Sequence, residues 1–521
     1  MTGALTGLQL RVILASVLAM ASVQLEFYGI TIVLPSMGHD LDLSSSQLEW
    51  ILNAELIAFA APLIAAGRFA DIFGRRFFAI VGSVVFGLST MAIGFASDPT
   101  MIIFLRVLQG LAQSMICVST LALVSRSMGQ EHRALGIGIF TGGYMLFGAI
   151  GPLCAGLIVD FISWRWVFFV YGFVCAAAVL SLVAFIPSDK PAPRQKPLDI
   201  RGFAVLITAL TLLILGLQLL GDPKIDDLWP TVSIVAGVLL FLVFLWIEPR
   251  AQDPLIDFAL FSERNFIGAC IFAFLSNFPV AVLLFILSMY LQYIVGVSAT
   301  ANGLIFLAMM IPLSVVPILA EPVMARFGSR LTLAFSMALS AFSFVCFAFL
   351  QPEAGLVLLM IGLALVGAGR GLMFPATGSI VLSAVPEDKS AAAAGTLQFV
   401  RGLAFPLGIA VTAPFFRSWE NVQIGNMFQL AGNRLGDDVQ KDIHGLLSGS
   451  ESARQTLMAL APKVADRVDL IVDQAFAHGF RNVMFLSLAL SVVGLLSVFI
   501  IRRGSSDIRL HDQHRHHTSQ H

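Results

Sequence analysis

Five ionisable side chains stand well within long apolar runs of this 521-residue chain, away from their ends: Glu26, Glu55, Arg106, Arg370 and Arg401. A charge at mid-bilayer costs at least about 2.5 to 3.5 kcal/mol on insertion scales, so such residues pair with one another or face a water-filled cavity. All nine histidines fall outside the runs, which removes an imidazole relay and leaves the two carboxylates as candidates for proton chemistry. The proton affinity of a buried carboxylate is set by competition between desolvation and a nearby cation, so a movement that withdraws the cation also moves the proton. Glu26 lies nine residues before Pro35, about 13 Å inside that helix end at 1.5 Å per residue. It reads either as a site that binds a proton when Arg106 is withdrawn or as a permanent ion pair with Arg106. Glu55, about a turn and a half inside Trp50, reads as a counter-ion to Arg106, a cation-binding group or a second proton site.

Arg370 sits in the glycine-rich run Gly367-Ala368-Gly369-Arg370-Gly371. Matching the loop pair Glu131 to Arg133 with Asp388 to Ser390 gives an offset of 257 residues and sets Arg370 opposite Gln113. Gln113 is two turns beyond Arg106 on the same helix face, so Arg370 is expected to point toward a central cavity, against the alternatives of a helix-end pair or snorkelling. A central cation invites an anionic or zwitterionic solute. Gln113, Tyr144, Arg370 and Arg401 form the expected substrate-cavity set.

The elements that hold these residues follow from composition. Apolar residues make up 58% of the chain and charged residues only 12%, about half the charge fraction of a soluble domain. Fourteen helices of roughly 21 residues would concentrate nearly all charges on the remainder and restore an ordinary aqueous density there, which excludes a soluble enzyme or a single-core globule. A formal net charge of -1 gives no basic field for nucleic acid, and no zinc, phosphate-loop or dinucleotide spacing is present. Cys117, Cys154, Cys175, Cys270 and Cys346 all lie in apolar runs and read as small hydrophobes. The first apolar run continues past the length of a signal-peptide core and reads as a membrane helix.

Apolar runs place spans at Leu10 to Leu34, Trp50 to Ala66, Phe77 to Ala96, Met101 to Val124, Leu135 to Ile158, Trp166 to Ile186, Gly202 to Leu220 and Trp229 to Ile247. Six more fit Phe266 to Tyr290, Gly303 to Ala320, Leu331 to Leu350, Gly355 to Ala384, Ala391 to Phe416 and Phe480 to Ile501. An even number puts both termini on one side. Nineteen basic residues fall in segments on that side, against Arg165 and Lys224 in the short loops opposite, so both termini are expected in the cytoplasm. The long external segment from Arg417 to Gly479 contains Leu457, Leu460, Val464, Val468, Ile471, Val472 and Ala475 at helical spacing. An amphipathic helix there would cap the outer vestibule or offer a docking surface to a partner.

A tight turn, Gly67-Arg68-Phe69-Ala70-Asp71-Ile72-Phe73-Gly74-Arg75-Arg76, follows the second run. Its glycines allow close approach and reversal, and Asp71 can bond Arg75 four residues on or cap a neighbouring helix. The pattern returns 254 residues later as Arg326-Phe327-Gly328-Ser329-Arg330, with Ala325 in the place of Asp71. Two related six-helix halves with two extra central spans are implied. Secondary transporters are often built so, with the site between the halves.

At these residues the chain resembles the major facilitator superfamily, and more closely its fourteen-segment drug:proton antiporter branch. Gly67, Asp71, Gly74, Arg75 and Arg76 stand in a stretch similar to the superfamily's cytoplasmic signature loop. Arg106-Val107-Leu108-Gln109-Gly110 resembles its buried-arginine motif, and Gly143, Gly148, Gly151, Pro152 and Gly156 resemble the antiporter motif associated with export. Thr31 to Pro35, Trp164-Arg165-Trp166, Tyr290-Leu291-Gln292 and the basic position Arg401 also look like that branch. The branch commonly has Asp where Glu26 stands, Tyr where Glu55 stands, paired glycines where Ala155-Gly156 stand, and no charge at Arg370.

The resemblance implies an all-α membrane protein with fourteen transmembrane helices. Residues 1-186 would form the N-terminal half, 187-265 a connector with two extra helices, 266-501 the C-terminal half with external loop 417-479, and 502-521 a cytoplasmic tail. The expected function is proton-coupled efflux of amphiphilic small molecules or drugs across the plasma membrane of a bacterium by alternating access. A dedicated exporter of an anionic or zwitterionic metabolite such as a siderophore is the alternative, and a non-transporting sensor on the same fold a second. No enzymatic activity, metal or cofactor is expected beyond protons as coupling ion. Expected partners are the lipid bilayer, the small-molecule substrate and a periplasmic adaptor protein on the outer loop, with no nucleic acid.

Overall fold

In lipid no water satisfies open backbone groups, so a spanning segment must satisfy them itself. The computed structural model follows that constraint: it describes residues 5–60, 62–128, 132–187, 199–220, 228–251, 254–350, 356–386, 389–430 and 468–502, and these form α-helices with short 3-10 and π turns and no strand. The helices are α1 (Gly7–Asp40), α2 (Ser45–Ala60), α3 (Leu63–Phe73), α4 (Arg75–Phe95), α5 (Pro99–Ser127), α6 (Arg133–Phe161) and α7 (Trp164–Phe185). They continue as α8 (Ile200–Leu219), α9 (Leu228–Ile247), α10 (Arg264–Met289), α11 (Ala299–Ala348), α12 (Leu356–Ala384), α13 (Ser390–Leu430) and α14 (Val468–Ser497). The protein is thus the all-α, fourteen-helix membrane chain expected from its composition.

Local chemistry sets the starts. Thr6 and Gln9 form a capping box, the Thr6 side chain accepting from the Gln9 amide while the Gln9 carboxamide accepts from the Thr6 amide at 2.9 Å. Asp98 accepts from the Met101 amide at 3.0 Å, with Pro99 at the first helical position. Such caps satisfy donors that a helix start leaves open.

Several bounds differ from those expected. The second run is broken: Pro62, which lacks a backbone donor, separates α2 from α3, and the bent pair together makes one span. α1 runs five residues past Pro35 to Asp40, which sets Glu26 about 21 Å from the helix end rather than 13. Fifty continuous residues in α11 would extend about 75 Å, more than twice a hydrocarbon core of roughly 30 Å. The backbone breaks it at Gly328, with φ 79° and ψ 155°, so α11 is two spans. With these two cases the twelve described helices that are long and apolar enough to cross a membrane account for fourteen spans. The outer segment is shorter than expected, because α13 continues to Leu430 and α14 begins at Val468. The expected amphipathic helix lies largely outside the described residues, and its last residues, 468–475, are the opening turns of α14.

The chain divides into two units. One comprises Met1–Leu255, Leu284–Leu304 and Ile409–Gly479. Within it α1 packs on α5, α6 and α7, α4 on α5 and α7, α2 on α5, and α8 on α9, around a core that includes Val12, Phe86, Ile116, Phe140 and Leu182. The other comprises Ile256–Leu283, Ile305–Gly408 and Phe480–His521, with a core that includes Phe266, Phe272, Leu333, Met337, Met373 and Leu397. Large side chains such as Trp229, Leu239, Leu242 and Trp246 of α9 are exposed, as lipid-facing surface should be.

The two reversals share a backbone device. Gly74 has φ 94° and Gly328 φ 79°, a region in which a Cβ is strained, and they are the 254-residue pair of the repeat. Gly74→Val and Gly328→Val should each lose about 1–3 kcal/mol. Gly138→Ala, whose Cβ would meet nothing within 4 Å, should be neutral. Thermal unfolding of the detergent-purified variants checks this; equal transitions for all three would contradict it.

Candidate transport site

Arg106 of α5 is 1% exposed, and three helices supply its partners. Its Nε donates to the Ile51 carbonyl of α2 at 2.8 Å. Nη1 pairs with Glu26 of α1 and donates to Gln109 Oε1 at 3.0 Å, while Nη2 pairs with Glu55 of α2. Gln109 Nε2 in turn donates to Thr90 Oγ1 of α4 at 2.7 Å, and that hydroxyl donates to the Phe86 carbonyl at 2.7 Å. Both carboxylates are 1% exposed. Among the described residues, Glu26 Oε2 and Glu55 Oε1 have no hydrogen-bond partner. One guanidinium thus faces two carboxylates, and the fully ionised cluster holds one net negative charge in a dry interior.

Gly110 makes this approach possible. It lies one turn beyond Arg106 on the same face, and a Cβ there would stand 2.2 Å from the Glu55 carbonyl and 2.8 Å from the Phe59 amide nitrogen. Only a residue without a side chain lets the α2 backbone rest on α5 at the level of Glu55.

α6 is packed through its small residues. Cβ atoms added at Gly143, Gly148 and Gly151 would approach Val17 (2.9 Å), Tyr28 (3.3 Å) and the Leu25 carbonyl (2.8 Å), all on α1. Gly151 and Gly148 therefore flank the turn of α1 that carries Glu26. Further along, a Cβ added at Gly156 would stand 2.3 Å from the Ala299 carbonyl, and one at Gly303 would stand 2.5 Å from the Pro152 carbonyl, so α6 interlocks with the first turns of α11. Asp160 closes the contact, accepting from the Ala299 and Thr300 amides at 3.1 and 2.7 Å.

The last turn of α10 and the following π turn, Tyr290–Ile294, bind α1. Pro35 has no N–H to give to the Thr31 carbonyl four residues back. Ser288 Oγ donates to that carbonyl at 2.6 Å, and Asn302 Nδ2 donates to Ser288 Oγ at 2.8 Å. Gln292 Nε2 donates to the Ile32 carbonyl at 3.1 Å and Tyr293 Oη to the Pro35 carbonyl at 2.8 Å. Gln292 belongs to the Tyr290-Leu291-Gln292 triplet quoted from the sequence, whereas Asp160, Ser288, Tyr293 and Asn302 are absent from the residues singled out there. The available signal was Pro35, whose missing donor leaves a carbonyl seeking a partner.

At the other end of the spans, Asp71 Oδ1 accepts from Arg75 Nε at 2.7 Å and pairs with Arg126 at 3.4 Å, while Arg76 Nη2 donates to the Val183 carbonyl of α7 at 2.7 Å. A Cβ added at Gly67 would make only an ordinary contact, 3.4 Å from Val118. In the second unit Lys389 pairs with Asp257 at 2.7 Å and holds that carboxyl below its usual range. Asp40 joins the opposite ends of α1 and α7, accepting from Trp164 Nε1 at 3.0 Å and pairing with Arg165 at 2.5 Å.

The four residues of the expected cavity set fall in different units. Gln113 (4% exposed) lies in the first, and Tyr144 there stacks edge-on against Phe140 at 5.1 Å beside the apolar core. Arg370 (3% exposed) and Arg401 lie in the second and share a ring: their guanidinium carbons stand 5.4 and 5.0 Å from the Phe374 centroid. Arg401 Nη2 also donates to the Phe374 carbonyl at 3.1 Å and bonds Thr377 Oγ1.

The sequence that builds this architecture matches the Major Facilitator Superfamily profile over residues 14–261 and 269–425. The chain belongs to the Major Facilitator Superfamily. It is similar to the tetracenomycin C resistance and export protein of Streptomyces glaucescens, 29% identical over 80% of this chain and 77% of that one. It is also similar to the multidrug resistance protein Stp of Mycobacterium tuberculosis (strain CDC 1551 / Oshkosh), 24% identical over 94% of this chain and 91% of that one. Among solved structures, a bacterial homolog of the human lysosomal transporter Spinster, in an inward-facing, unoccupied conformation, matches with a TM-score of 0.62. It is 16% identical over 97% of this chain and 99% of that chain and shows a shared fold. This chain is therefore a membrane transporter, not an enzyme, and its partners include the bilayer and a small molecule.

Gly110→Val should push α2 off α5, part Glu55 from Arg106, and abolish transport with a lowered melting transition. Gly67→Ala should be tolerated. Parallel thermal unfolding and efflux assays check this, and an active Gly110→Val protein would refute the account of the cluster.

Proposed function

We propose that the protein exports amphiphilic small molecules across a bacterial plasma membrane in exchange for protons, by alternating access of its two halves, with both termini in the cytoplasm. The observation that carries this reading is the pair of buried carboxylates on one guanidinium, Glu26 and Glu55 on Arg106. When both are ionised the cluster is one negative charge in excess, and burying an uncompensated charge is costly. One proton on either carboxylate makes it neutral. The cluster thus alternates between two charge states that differ by one proton, and each state suits a different degree of hydration. Glu26 is the proton site, exchanging its proton as Arg106 shifts toward Glu55; Glu55 keeps the arginine neutralised meanwhile. Each proton entering down a 100 mV potential supplies about 2.3 kcal/mol, which drives the export step.

The small-residue contacts of α6 with α1 and α11, and the Asp160 cap, serve in this reading to keep one end closed while the other loads. The relatives named for resistance and export support the direction of transport. The nineteen-to-two distribution of basic residues supports the orientation.

The test uses the full chain in proteoliposomes with an internal pH dye and ethidium as probe. Wild type should show proton movement tied to ethidium movement. Glu26→Gln should lose at least about tenfold of the coupled flux while still exchanging probe for probe. Full proton coupling in Glu26→Gln would overturn Glu26 as the site, and ethidium movement without protons in wild type would overturn the antiport reading.

A further inference from the structure

Each of the two positive-φ turns, at Gly74 and Gly328, is followed two residues on by an arginine, and the two arginines hold equivalent places. Arg76 Nη2 donates to the Val183 carbonyl in the last turn of α7 at 2.7 Å. Arg330, 254 residues later in the sequence, donates from Nε at 3.1 Å to the Val498 carbonyl in the 3-10 turn, Val498–Ile500, that closes α14. A cation on the carbonyls that a helix end leaves open is favourable in both places. Their neighbours differ. The first turn carries Asp71, which pairs with Arg75 and Arg126, whereas Ala325 stands in its place in the second. Residues 322–335 and 496–503 hold Arg326, Arg330, Arg502 and Arg503 and no acid; Glu321 precedes the first stretch, and Glu263 neighbours Arg264 at the start of α10.

Three helices fix this corner of the second unit. The Arg502 amide donates to Asn265 Oδ1 at 2.8 Å. A Cβ added at Gly268 would stand 2.6 Å from the Ile501 side chain, so the end of α14 is seated on the first turns of α10. A Cβ added at Gly494 would stand 2.4 Å from the Met337 methyl, so α14 also runs against the second half of α11. Arg330 stands at the end of that seam, its guanidinium carbon 5.6 Å from the Phe499 ring. Phe499 is 73% exposed and continues a face on which Val492, Val493 and Leu496 are exposed as well, at the spacing of one side of a helix. Across the seam Phe327, Leu331 and Phe335 are exposed too. The apolar surface therefore stops where the arginines begin, the level at which a phospholipid changes from acyl chain to phosphate. A free phosphate would match the arginines alone, and a lipid matches both parts. Arginine recognises phosphate through its forked N–H donors, and basic clusters at the border of membrane helices attract anionic head groups.

We infer that this corner is a binding site for an anionic glycerophospholipid. Arg326, Arg330 and Arg502 take the phosphate head group, and the exposed faces that end in Phe499 and Leu331 take the acyl chains. In the first unit Asp71 supplies from within the chain the negative charge that the lipid brings here.

The experiment measures equilibrium binding of dioleoyl phosphatidylglycerol and dioleoyl phosphatidylcholine, titrated separately into the purified, delipidated full chain in a neutral detergent and read by native mass spectrometry. Wild type should bind the glycerol lipid at least about fivefold more tightly than the choline lipid, the scale set by one basic residue near a membrane surface. Arg326→Gln/Arg502→Gln, which leaves the Arg330 cap on α14 in place, should reduce that preference to about twofold or less. Ala325→Asp, which restores the acid of the first turn, should lower phosphatidylglycerol affinity in the same direction. Arg11→Gln/Arg201→Gln, two exposed arginines at the starts of other helices, should keep the preference within about twofold. Equal binding of the two lipids by wild type overturns the site, as does full preference in a folded Arg326→Gln/Arg502→Gln protein. An equal loss in Arg11→Gln/Arg201→Gln would assign the attraction to overall charge and overturn it as well. Glycerol 3-phosphate at the lipid's concentration should displace nothing; displacement would put a free phosphate in place of a lipid. No transport is read, so the result stands apart from the antiport reading.

Discussion

The contact on which the first unit depends is Arg106 held by Glu26 and Glu55. A guanidinium cannot shed its proton in a protein, so the arginine is a fixed charge that its surroundings must answer. α1 and α2 each bring a carboxylate, α2 adds a carbonyl, and Gln109 links the group to α4. Four helices are thereby pinned to one atom cluster. The glycines nearest it, Gly110 and Gly151, are spaces cleared so that backbones can come close enough for those side chains to meet. Packing and electrostatics are the same constraint here, because the ion pairs form only at a helix separation that any larger residue would prevent.

The second unit answers its buried charges differently. Arg370 and Arg401 are set against the Phe374 ring, Arg401 also donates to the Phe374 carbonyl, and neither α12 nor residues 390–408 of α13 carry a carboxylate. A cation on a ring is held less strongly than one on a carboxylate, typically by about 0.5 to 2 kcal/mol. The halves of the sequence are related by repeat, yet one interior sets two carboxylates on an arginine and the other sets two arginines against an aromatic ring.

Much of this was legible in the sequence. The apolar runs gave the helices, because length and hydropathy are direct consequences of a lipid solvent, and the five charges well inside those runs stood out against so few others, whereas Glu49 and Glu248, also buried, did not. The Gly74 and Gly328 spacing foretold two backbone reversals of the same kind. What the sequence hid was of two sorts. Pairings between distant helices, such as Ser288 with Thr31 or Asp160 with the start of α11, depend on which faces meet, and apolar periodicity is nearly silent when every face of a helix is apolar. Boundaries also drifted, because helices continue past the hydrocarbon where caps such as Thr6 permit, or break early where Pro62 intervenes.

The proline in α1 has a consequence for movement. Were the Thr31 carbonyl bonded within its own helix, any partner on α10 would be an extra, and parting the helices would change little. Pro35 makes the carbonyl an open socket that Ser288 fills. If the two helices part and water enters, a water molecule fills the socket equally well, and no turn of α1 needs to unwind. The joint is therefore stable when dry and cheap to separate when wet, so its position is governed by hydration rather than by helix strength.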